Sequence, residues 1–332
     1  MRRSDIPMPH TVRVTRWLQT GTIIVAIAGV SAVPQSTRSS PIVGGPIVID
    51  AVPVVLNPQN PSATAIGDFV YAGGLSLTSR DTNQLHGLSD LDVTGTDRLT
   101  AVSDFGNVLD VRVVLDKDEQ LVGVADARLA LLTGENGQPL AGKGNADAEG
   151  LALLTGGDRL VSFERRHRIG LYPATGGPPR AVPAPKVNFP GNGGMEALAA
   201  DPEAAADAYV VGAETGETWT CRLSSVDCIR GPSVEKPKDF SLTALKRLPG
   251  MRTVYLLRAS DGKRGRRASL QIVHDASIVA RLDIAPPMTV DNFEGIAAVP
   301  RAAGGIRFYL LSDDNASASQ RTLLLAFDYR PH

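Results

Sequence analysis

The chain has 332 residues, a length that suits two ordinary domains or one large all-β domain. Its 34 Lys and Arg nearly balance 35 Asp and Glu, and only 5% of its residues are aromatic. This composition argues against a protein that coats nucleic acid or an anionic membrane, and against a stacking platform for single strands. The 33 glycines and 23 prolines favour many turns over long helices.

The first 32 residues have the pattern of a secretory signal peptide. Four arginines precede the apolar run Gly21–Val33, which has 13 residues, and small residues permit cleavage after Ala32. The run is short for a membrane-spanning helix, although an uncleaved anchor is the alternative. The Ser-, Pro- and Gly-rich stretch that follows predicts a linker over residues 33–46. We expect a periplasmic or secreted protein with no membrane span in the mature chain.

Residues 47–332 are interpreted as a single domain in which one short pattern occurs five times. Each unit has a strand of small and apolar residues, a turn, and then a β-branched or aromatic strand. The first strands begin 45 to 63 residues apart, at His86, Glu149, Glu196, Ser241 and Glu294. Four short strands every ~40–50 residues are typical of a β-propeller blade, and small residues suit the crowded innermost strand.

The pattern therefore predicts an all-β propeller with five or six blades of four antiparallel strands. The last unit lacks a fourth strand after Thr322–Tyr329. We expect an N-terminal strand, from Ile47–Leu56 or Asp68–Thr78, to complete this blade and close the ring, which removes open edges. A β-sandwich, the alternative all-β fold, does not explain the repetition.

Two cysteines, Cys221 and Cys228, lie seven residues apart in the third unit. An even count in an exported chain indicates a disulfide, and the spacing suits facing strands of a hairpin. A metal site here is weakly supported, because no histidine or second cysteine pair lies nearby.

Charged and polar residues recur where first strands start and second strands end, two places that meet on one face of a propeller. The starts carry His86, Asp147 with Glu149, Glu196, Asp239 with Ser241, and Asp291 and Asn292 with Glu294. The ends carry Asp104, Glu164, Glu214, Arg258, and Asp313, Asp314 and Asn315. We expect rings of carboxylates around one mouth of the central channel, where mutual repulsion raises their pKa values unless a cation lies among them.

A hard cation such as Ca²⁺ suits these oxygen ligands better than Zn²⁺ does. The predicted metal ligands are Asp104, Glu149, Glu196, Glu294, Asp313 and Asp314. The alternative is that these side chains cap strand ends by accepting backbone N–H bonds.

Basic residues reach the same face. Arg165 and Arg258 adjoin strand ends and are predicted to hold an anionic substrate through their guanidinium groups. Together with Glu149 and Glu294 they form the predicted catalytic set. The basic turns Arg166–Arg168 and Lys263–Arg267, and Arg321, lie further along the chain, and for Lys263–Arg267 a solvated turn is the favoured interpretation.

Familiar catalytic motifs are absent from the sequence. It has no G-x-S-x-G elbow, P-loop, H-E-x-x-H or dinucleotide fingerprint. Any hydrolysis is therefore expected to be metal-assisted.

Five segments carry a family resemblance. DAEGLALL (Asp147–Leu154), LVSFERRHRIGLY (Leu160–Tyr172), DFSLTALKRLP (Asp239–Pro249), and DNFEGIAAV (Asp291–Val299) with YLLSDDN (Tyr309–Asn315) resemble the exported bacterial phytase-like domain called "esterase-like activity of phytase". The resemblance spans roughly residues 65–330 and implies a β-propeller with possible phosphoester or ester hydrolysis. Similarity to propeller phytases implies Ca²⁺ at one face, without assigning individual ligands.

Three hypotheses follow. The first is an exported Ca²⁺-dependent hydrolase of small anionic phosphate esters that acts as a monomer. The second is a lactonase-like carboxyl-ester hydrolase that uses one divalent metal on the same face. The third is a non-catalytic periplasmic propeller that binds a ligand or a protein.

Overall fold

The computed structural model describes residues 45–302 and 304–330. The predicted signal peptide and most of the predicted linker lie outside these residues. The last two linker residues form strand β1 (Gly45–Pro46), which pairs with Leu129 and Arg128, so ordered strand structure starts just before position 47. The next strands are β2 (Asp50–Pro53), β3 (Ala65–Ile66) and β4 (Phe69–Thr78).

The described chain forms five antiparallel sheets, which are the blades of a β-propeller. The sequence predicted five or six blades, and the described residues form five. Blade 1 contains β5 (Leu88–Thr94), β6 (Arg98–Ser103), β7 (Asn107–Leu115) and β8 (Leu121–Leu131), with β1 at its outer edge. The segment that follows contains the single-turn helix α1 (Lys143–Ala146). Blade 2 contains β9 (Ala148–Leu153), β10 (Arg159–Phe163), β11 (Arg168–Tyr172) and β12 (Arg180–Val182).

Blades 3 and 4 have the same four-strand order. Blade 3 contains β13 (Ala197–Ala200), β14 (Ala208–Gly212), β15 (Thr218–Arg222) and β16 (Ile229–Arg230). A disulfide joins Cys221 to Cys228 across its outer hairpin, where Thr220 pairs with Ile229. Blade 4 contains β17 (Ser241–Leu248), β18 (Arg252–Asp261), β19 (Gly265–His274) and β20 (Ser277–Ile284).

Blade 5 closes the ring with strands from both ends of the domain. It contains β21 (Asn292–Pro300), β22 (Ile306–Asp313) and β23 (Leu323–Tyr329), and β4 is its fourth strand. The expected closure by an N-terminal strand is confirmed, with β4 taken from the Asp68–Thr78 candidate and β2 added outside it. Phe69 of β4 stacks on Tyr329 of β23 with ring centroids 5.0 Å apart, so the closure is also an aromatic contact.

Burial follows the position of a strand within its blade. The second strand β22 is buried along its whole length, whereas the outer strand β20 alternates between exposed and buried residues. The innermost strands β5, β9, β13, β17 and β21 contact their neighbours around the axis. Small residues are required there: a Cβ on Gly295 would lie 2.9 Å from the Cα of Asp90 in the adjacent blade.

Candidate functional site

The innermost strand has a β-bulge in four of the blades. At each bulge one residue has no pairing partner on the second strand. In blade 2, Phe163 pairs with Ala148 and Ser162 with Gly150, which leaves Glu149 unpaired. The same irregularity leaves Glu294 unpaired in blade 5, Ser89 in blade 1 and Thr243 in blade 4. Because a bulge re-aims a side chain, Ser89, Glu149 and Glu294 are presented at one mouth of the channel, whereas the buried hydroxyl of Thr243 lies against the carbonyl of Leu256. In blade 3, Glu196 precedes β13 and takes the same place.

A second ring comes from residues at or just after the ends of the second strands. Asp104 follows β6, Glu164 follows β10, and Asp313 ends β22. Glu214 lies shortly after β14, and Arg258 stands at the corresponding place in β18. Both rings line one cavity of about 130 Å³, as the repeat of first and second strands predicts.

The cavity has a large excess of negative charge. Eight carboxylates line it: Asp104, Asp147, Glu149, Glu164, Glu196, Glu214, Glu294 and Asp313. Three cationic side chains, Lys143, Arg165 and Arg258, line it as well. Eight carboxylates minus three cations leave five negative charges when every group is ionised.

Each of the three cations is already paired with a cavity carboxylate. The ammonium of Lys143 lies 2.5 Å from Asp104 Oδ2 and 3.5 Å from Asp147 Oδ1. The Nε of Arg165 lies 2.5 Å from Asp147 Oδ2. Arg258 lies 3.2 Å from Glu294 Oε1 and also donates to Asn292 Oδ1 at 2.7 Å. The remaining carboxylates therefore face one another without a matching positive charge.

Burial and mutual repulsion raise the pKa values of these carboxyl groups. They raise the pKa of Glu196 from 4.5 to about 8 and that of Asp313 from 3.8 to about 8. Burial together with the nearby carboxylates of Glu196 and Glu294 holds the pKa of Glu149 well above its usual range. Burial also raises the pKa of Glu294, although Arg258 opposes the shift. Without a further cation, some of these groups keep a proton near neutral pH.

A hard cation fits this arrangement. Asp147, Glu149 and Glu164 each offer an oxygen, and the three oxygens lie within 4.8 Å of one another. Oδ1 of Asp104 and Oδ1 of Asp147 are buried and accept no hydrogen bond from the described residues. Buried carboxylate oxygens without donors are costly unless a metal or a proton meets them, and oxygen-only ligands favour Ca²⁺ or Mg²⁺.

The structure brings together most of the predicted site residues. Asp104, Glu149, Glu196, Glu294 and Asp313 share the cavity with Arg165 and Arg258. Asp314 lies outside the lining residues and accepts hydrogen bonds from the backbone N–H groups of Gly87 and Ala316 and from the hydroxyl of Thr322. Its carboxylate therefore joins loops of blades 1 and 5, which is the alternative role considered for these residues.

Five residues assigned to first-strand starts do not line the cavity: His86, Asp239, Ser241, Asp291 and Asn292. His86 packs edge-on against Phe105, with ring centroids 4.4 Å apart, because Ser89 holds the bulge position of blade 1. Asp239 pairs with Arg264 and Arg267, so the Lys263–Arg267 turn serves an ion-pair network. Asp291 accepts the backbone N–H of Arg321 and lies near the guanidinium groups of Arg266 and Arg321.

The proposed ligand set omitted several cavity residues. Asp147, Glu164 and Glu214 were placed in the two rings but not among the ligands, and they line the cavity. Lys143 arrives from α1, in a segment between blades with no counterpart in the repeat. Asn192 comes from a loop before β13, and its Oδ1 accepts a hydrogen bond from Arg165 at 3.3 Å. Lys143 and Asn192 lie outside the repeated sequence pattern, so the repeat does not predict that they reach the cavity.

No helix among the described residues is long and apolar enough to cross a membrane. The Cys221–Cys228 disulfide is a feature typical of proteins in oxidising compartments.

The fold and the cavity define a five-bladed β-propeller with an acidic mouth. The chain belongs to the Phytase-like family described as "Esterase-like activity of phytase", which it matches over residues 83–316. A search of curated proteins finds no match. Among solved structures, a crystal structure of the major Malassezia sympodialis allergen Mala s 1 aligns with 13% identity and a TM-score of 0.42, covering 80% of this chain and 91% of that one.

Proposed function

We propose that this chain is an exported, metal-dependent hydrolase of small phosphate esters that acts at the acidic cavity, with Ca²⁺ as the preferred ion. The charge of the cavity carries the proposal: eight carboxylates and three cations line about 130 Å³. Membership of the phytase-like family supports the choice of reaction.

The proposed ligands are cavity carboxylates without a cationic partner, together with Asp147 and Glu294, which also pair with Arg165 and Arg258. Glu149 and Glu164 can share an ion with Asp147, and Glu196 and Asp313 lie around the same cavity. Ca²⁺ accepts six to eight oxygen ligands in flexible geometry, which suits a ring of carboxylates drawn from several blades. All five blades of one chain build this mouth, so a monomer suffices for the proposed activity.

A bound divalent ion would polarise a phosphoryl oxygen and lower the pKa of a bound water. The protein's own contribution is to hold the anionic ester at the mouth. The side chains of Arg165 and Arg258 are 39% and 32% exposed, so each has N–H groups that reach solvent beside the carboxylates. Guanidinium groups suit phosphate because their planar donors match its oxygens.

Export is part of the proposal. The disulfide in blade 3 supports an oxidising compartment, in agreement with the signal-peptide pattern of residues 1–32. A mature N-terminus at residue 33, measured by mass spectrometry of the secreted or periplasmic protein, is the expected result.

The first test combines stability and turnover. Thermal unfolding of residues 33–332 is measured after metal removal and with added Ca²⁺, and the same samples are assayed on phenyl phosphate and phenyl acetate. Ca²⁺ is expected to raise the Tm, because a ligand of the native state stabilises it. Phosphate-ester turnover is expected to appear with the ion and to disappear with chelator.

Matched variants locate the effect. Glu149→Gln and Glu294→Gln are expected to reduce both the Ca²⁺-induced rise in Tm and the turnover. Glu217→Gln is the control, because Glu217 pairs with Arg230 outside the cavity. Turnover of the carboxyl ester alone would favour the lactonase-like reaction. If metal does not change the Tm and neither ester is turned over, the result would favour the non-catalytic propeller that binds a ligand or a protein.

A further inference from the structure

A second cavity, of about 440 Å³, lies beside blade 2 and beneath the segment that enters this blade from blade 1. Three arginines line it: Arg166 in the turn after β10, Arg168 at the start of β11, and Arg180 at the start of β12. We call it the arginine pocket. Its walls include Thr133 and Leu140 of the entering segment.

None of these three arginines forms an ion pair with a described carboxylate. The guanidinium of Arg168 donates to the carbonyl oxygens of Arg166 (3.0 Å) and Asn145 (2.5 Å) and lies 3.8 Å from the ring centroid of Phe163. Arg166 donates to Asn145 Oδ1 at 2.5 Å. Backbone carbonyls and amides orient the guanidinium groups but do not neutralise them.

Several other partly or fully buried arginines have carboxylate partners. Arg307 pairs with Asp328 at 2.7 Å, and Arg267 pairs with Asp261 at the same distance. The arginine pocket has one acidic residue in its lining, Glu135, whose Oε1 accepts the backbone N–H of Ala181 at 2.8 Å. Three positive charges therefore face one negative charge in a concave site, and partial burial lowers the pKa of Arg168.

The pocket also has an apolar side. Leu140, Tyr172 and Pro179 line it, and the hydroxyl of Tyr172 is directed to the carbonyl of Thr133 at 2.9 Å. Apolar walls with a few fixed polar groups are typical of small-molecule sites. The charged part of a ligand can meet the arginines while its apolar part packs against these side chains.

We propose that the arginine pocket is a second binding site, specific for a small organic oxyanion, a phosphonate-like or carboxylate group on an aromatic or apolar body. The turn after β10 separates the two sites: Glu164 and Arg165 line the acidic cavity, and Arg166 and Arg168 line the pocket. This site needs no metal, because its positive charge comes from side chains.

The test is calorimetric titration of metal-free protein with phenylphosphonate and, separately, with benzoate. Saturable binding of one molecule per chain is expected for at least one probe, and the stronger probe identifies the preferred head group. Arg166→Gln combined with Arg180→Gln is expected to raise Kd at least about tenfold, the factor that corresponds to the loss of one charge-assisted hydrogen bond. Both residues are exposed, so the variant is expected to fold.

Two controls separate this site from the acidic cavity. Arg98→Gln removes an exposed arginine in blade 1 that forms no ion pair with a described residue, and Glu149→Gln alters the acidic cavity. Both variants are expected to bind the probe like the parent protein. The single variants Arg166→Gln and Arg180→Gln replace the double variant if its Tm shows that it is unfolded.

The proposal is overturned if neither probe binds saturably, or if the Arg166 and Arg180 variants bind like the parent. Tighter binding in Glu149→Gln alone would place the anion in the acidic cavity, where this variant removes a repelling carboxylate, and would also overturn it. Because the titration is done without metal, these outcomes do not depend on whether the acidic cavity hydrolyses phosphate esters.

Discussion

The ammonium nitrogen of Lys246 lies 2.9 Å from Oδ2 of Asp90, and this ion pair links the inner strands of all five blades. Lys246, from blade 4, also donates to the carbonyl oxygens of Leu151 in blade 2 (2.6 Å) and Leu198 in blade 3 (3.2 Å). Asp90, from blade 1, accepts the backbone N–H of Leu151 at 2.9 Å and that of Ile296 in blade 5 at 3.4 Å. The pair therefore closes the centre of the propeller.

Lys246→Met is expected to destabilise the protein by about 3–5 kcal/mol, because it leaves the Asp90 carboxylate buried without its cation. The Asp90 side chain is 0% exposed, and burial raises its pKa to about 7 even with Lys246 beside it. Urea denaturation measures the effect, with Lys117→Met as the control, since Lys117 is 86% exposed. The double variant Lys246→Met with Asp90→Asn should recover part of the loss. Equal stability of the Lys246 and Lys117 variants would show that the pair is dispensable.

Without metal, the free energy of unfolding is expected to fall as the pH rises from 5 to 8. In this pH range Glu196 and Asp313 keep their protons in the folded state, because their pKa values there are about 8. The same carboxyl groups in the unfolded chain are already deprotonated. These protons stabilise the native state, and their contribution is lost as the groups deprotonate. Each unit by which the folded pKa exceeds the unfolded pKa corresponds to about 1.4 kcal/mol.

Added Ca²⁺ is expected to reverse this trend, since metal binding needs deprotonated ligands and gains affinity as the pH rises. Urea denaturation of metal-free and Ca²⁺-loaded protein at pH 5 and pH 8 makes the comparison. A metal-free stability that increases between these pH values would contradict the charge assignment of the cavity.

Gly87→Ala is expected to destabilise the protein more than Gly95→Ala and to weaken the Ca²⁺ response. Both glycines have left-handed backbones, with φ of +65° and +67°. A Cβ at Gly95 meets nothing within 4 Å, so that variant loses about 1–2 kcal/mol for its backbone conformation alone. A Cβ at Gly87 would collide with Oδ1 of Asp104 and lie 2.7 Å from the ring of Phe105.

The difference between the two alanine variants in stability reports the contacts with Asp104 and Phe105, and the Ca²⁺ response distinguishes Asp104, which lines the cavity, from Phe105, which does not. Urea denaturation with and without Ca²⁺ measures it. Identical losses in the two variants, with an unchanged Ca²⁺ response, would show that Asp104 can move without consequence for the cavity.

Replacing Cys221 and Cys228 by Ala is expected to cost about 2 kcal/mol, the loop-closure entropy of a short cross-linked loop. The disulfide lies in the outer hairpin of blade 3, away from the cavity residues, so the Ca²⁺-induced rise in Tm should persist. Thermal unfolding with and without dithiothreitol tests this: the reductant should lower the Tm of the parent only. A lost Ca²⁺ response would show that blade 3 depends on the cross-link.

Most of the architecture could be predicted from the sequence, because a blade is a local unit. Strand alternation, small residues in inner strands and the recurrence of the E-G-I-A type of phrase at Glu149 and Glu294 identified the blades. The same recurrence placed most cavity carboxylates on one face, since first and second strands are joined by short turns. The closing strand β4 was one of two candidates, and only its pairing with β23 decided between them.

The site could be predicted less completely, because its details depend on register. In blade 1 the phrase beginning at His86 was aligned with Glu149, but the bulge falls at Ser89. With the bulge three residues after His86, Asp90 is the residue that directly follows the bulge, as Gly150 and Gly295 do in blades 2 and 5. Blade 1 therefore has a carboxylate at a position where the other blades have small residues. A bulge changes which residue faces the channel without changing the composition of the strand.

The sequence by itself determined a ring of repeated four-strand units and an acidic face, because both follow from short-range alternation of residue types. Only the tertiary structure decided which carboxylates converge, that Lys143 reaches Asp104 from outside the repeat, and that Lys246 meets Asp90 across 156 positions of the chain. These contacts join blades distant in sequence. Their formation depends on how the blades pack around the axis, which no local pattern records.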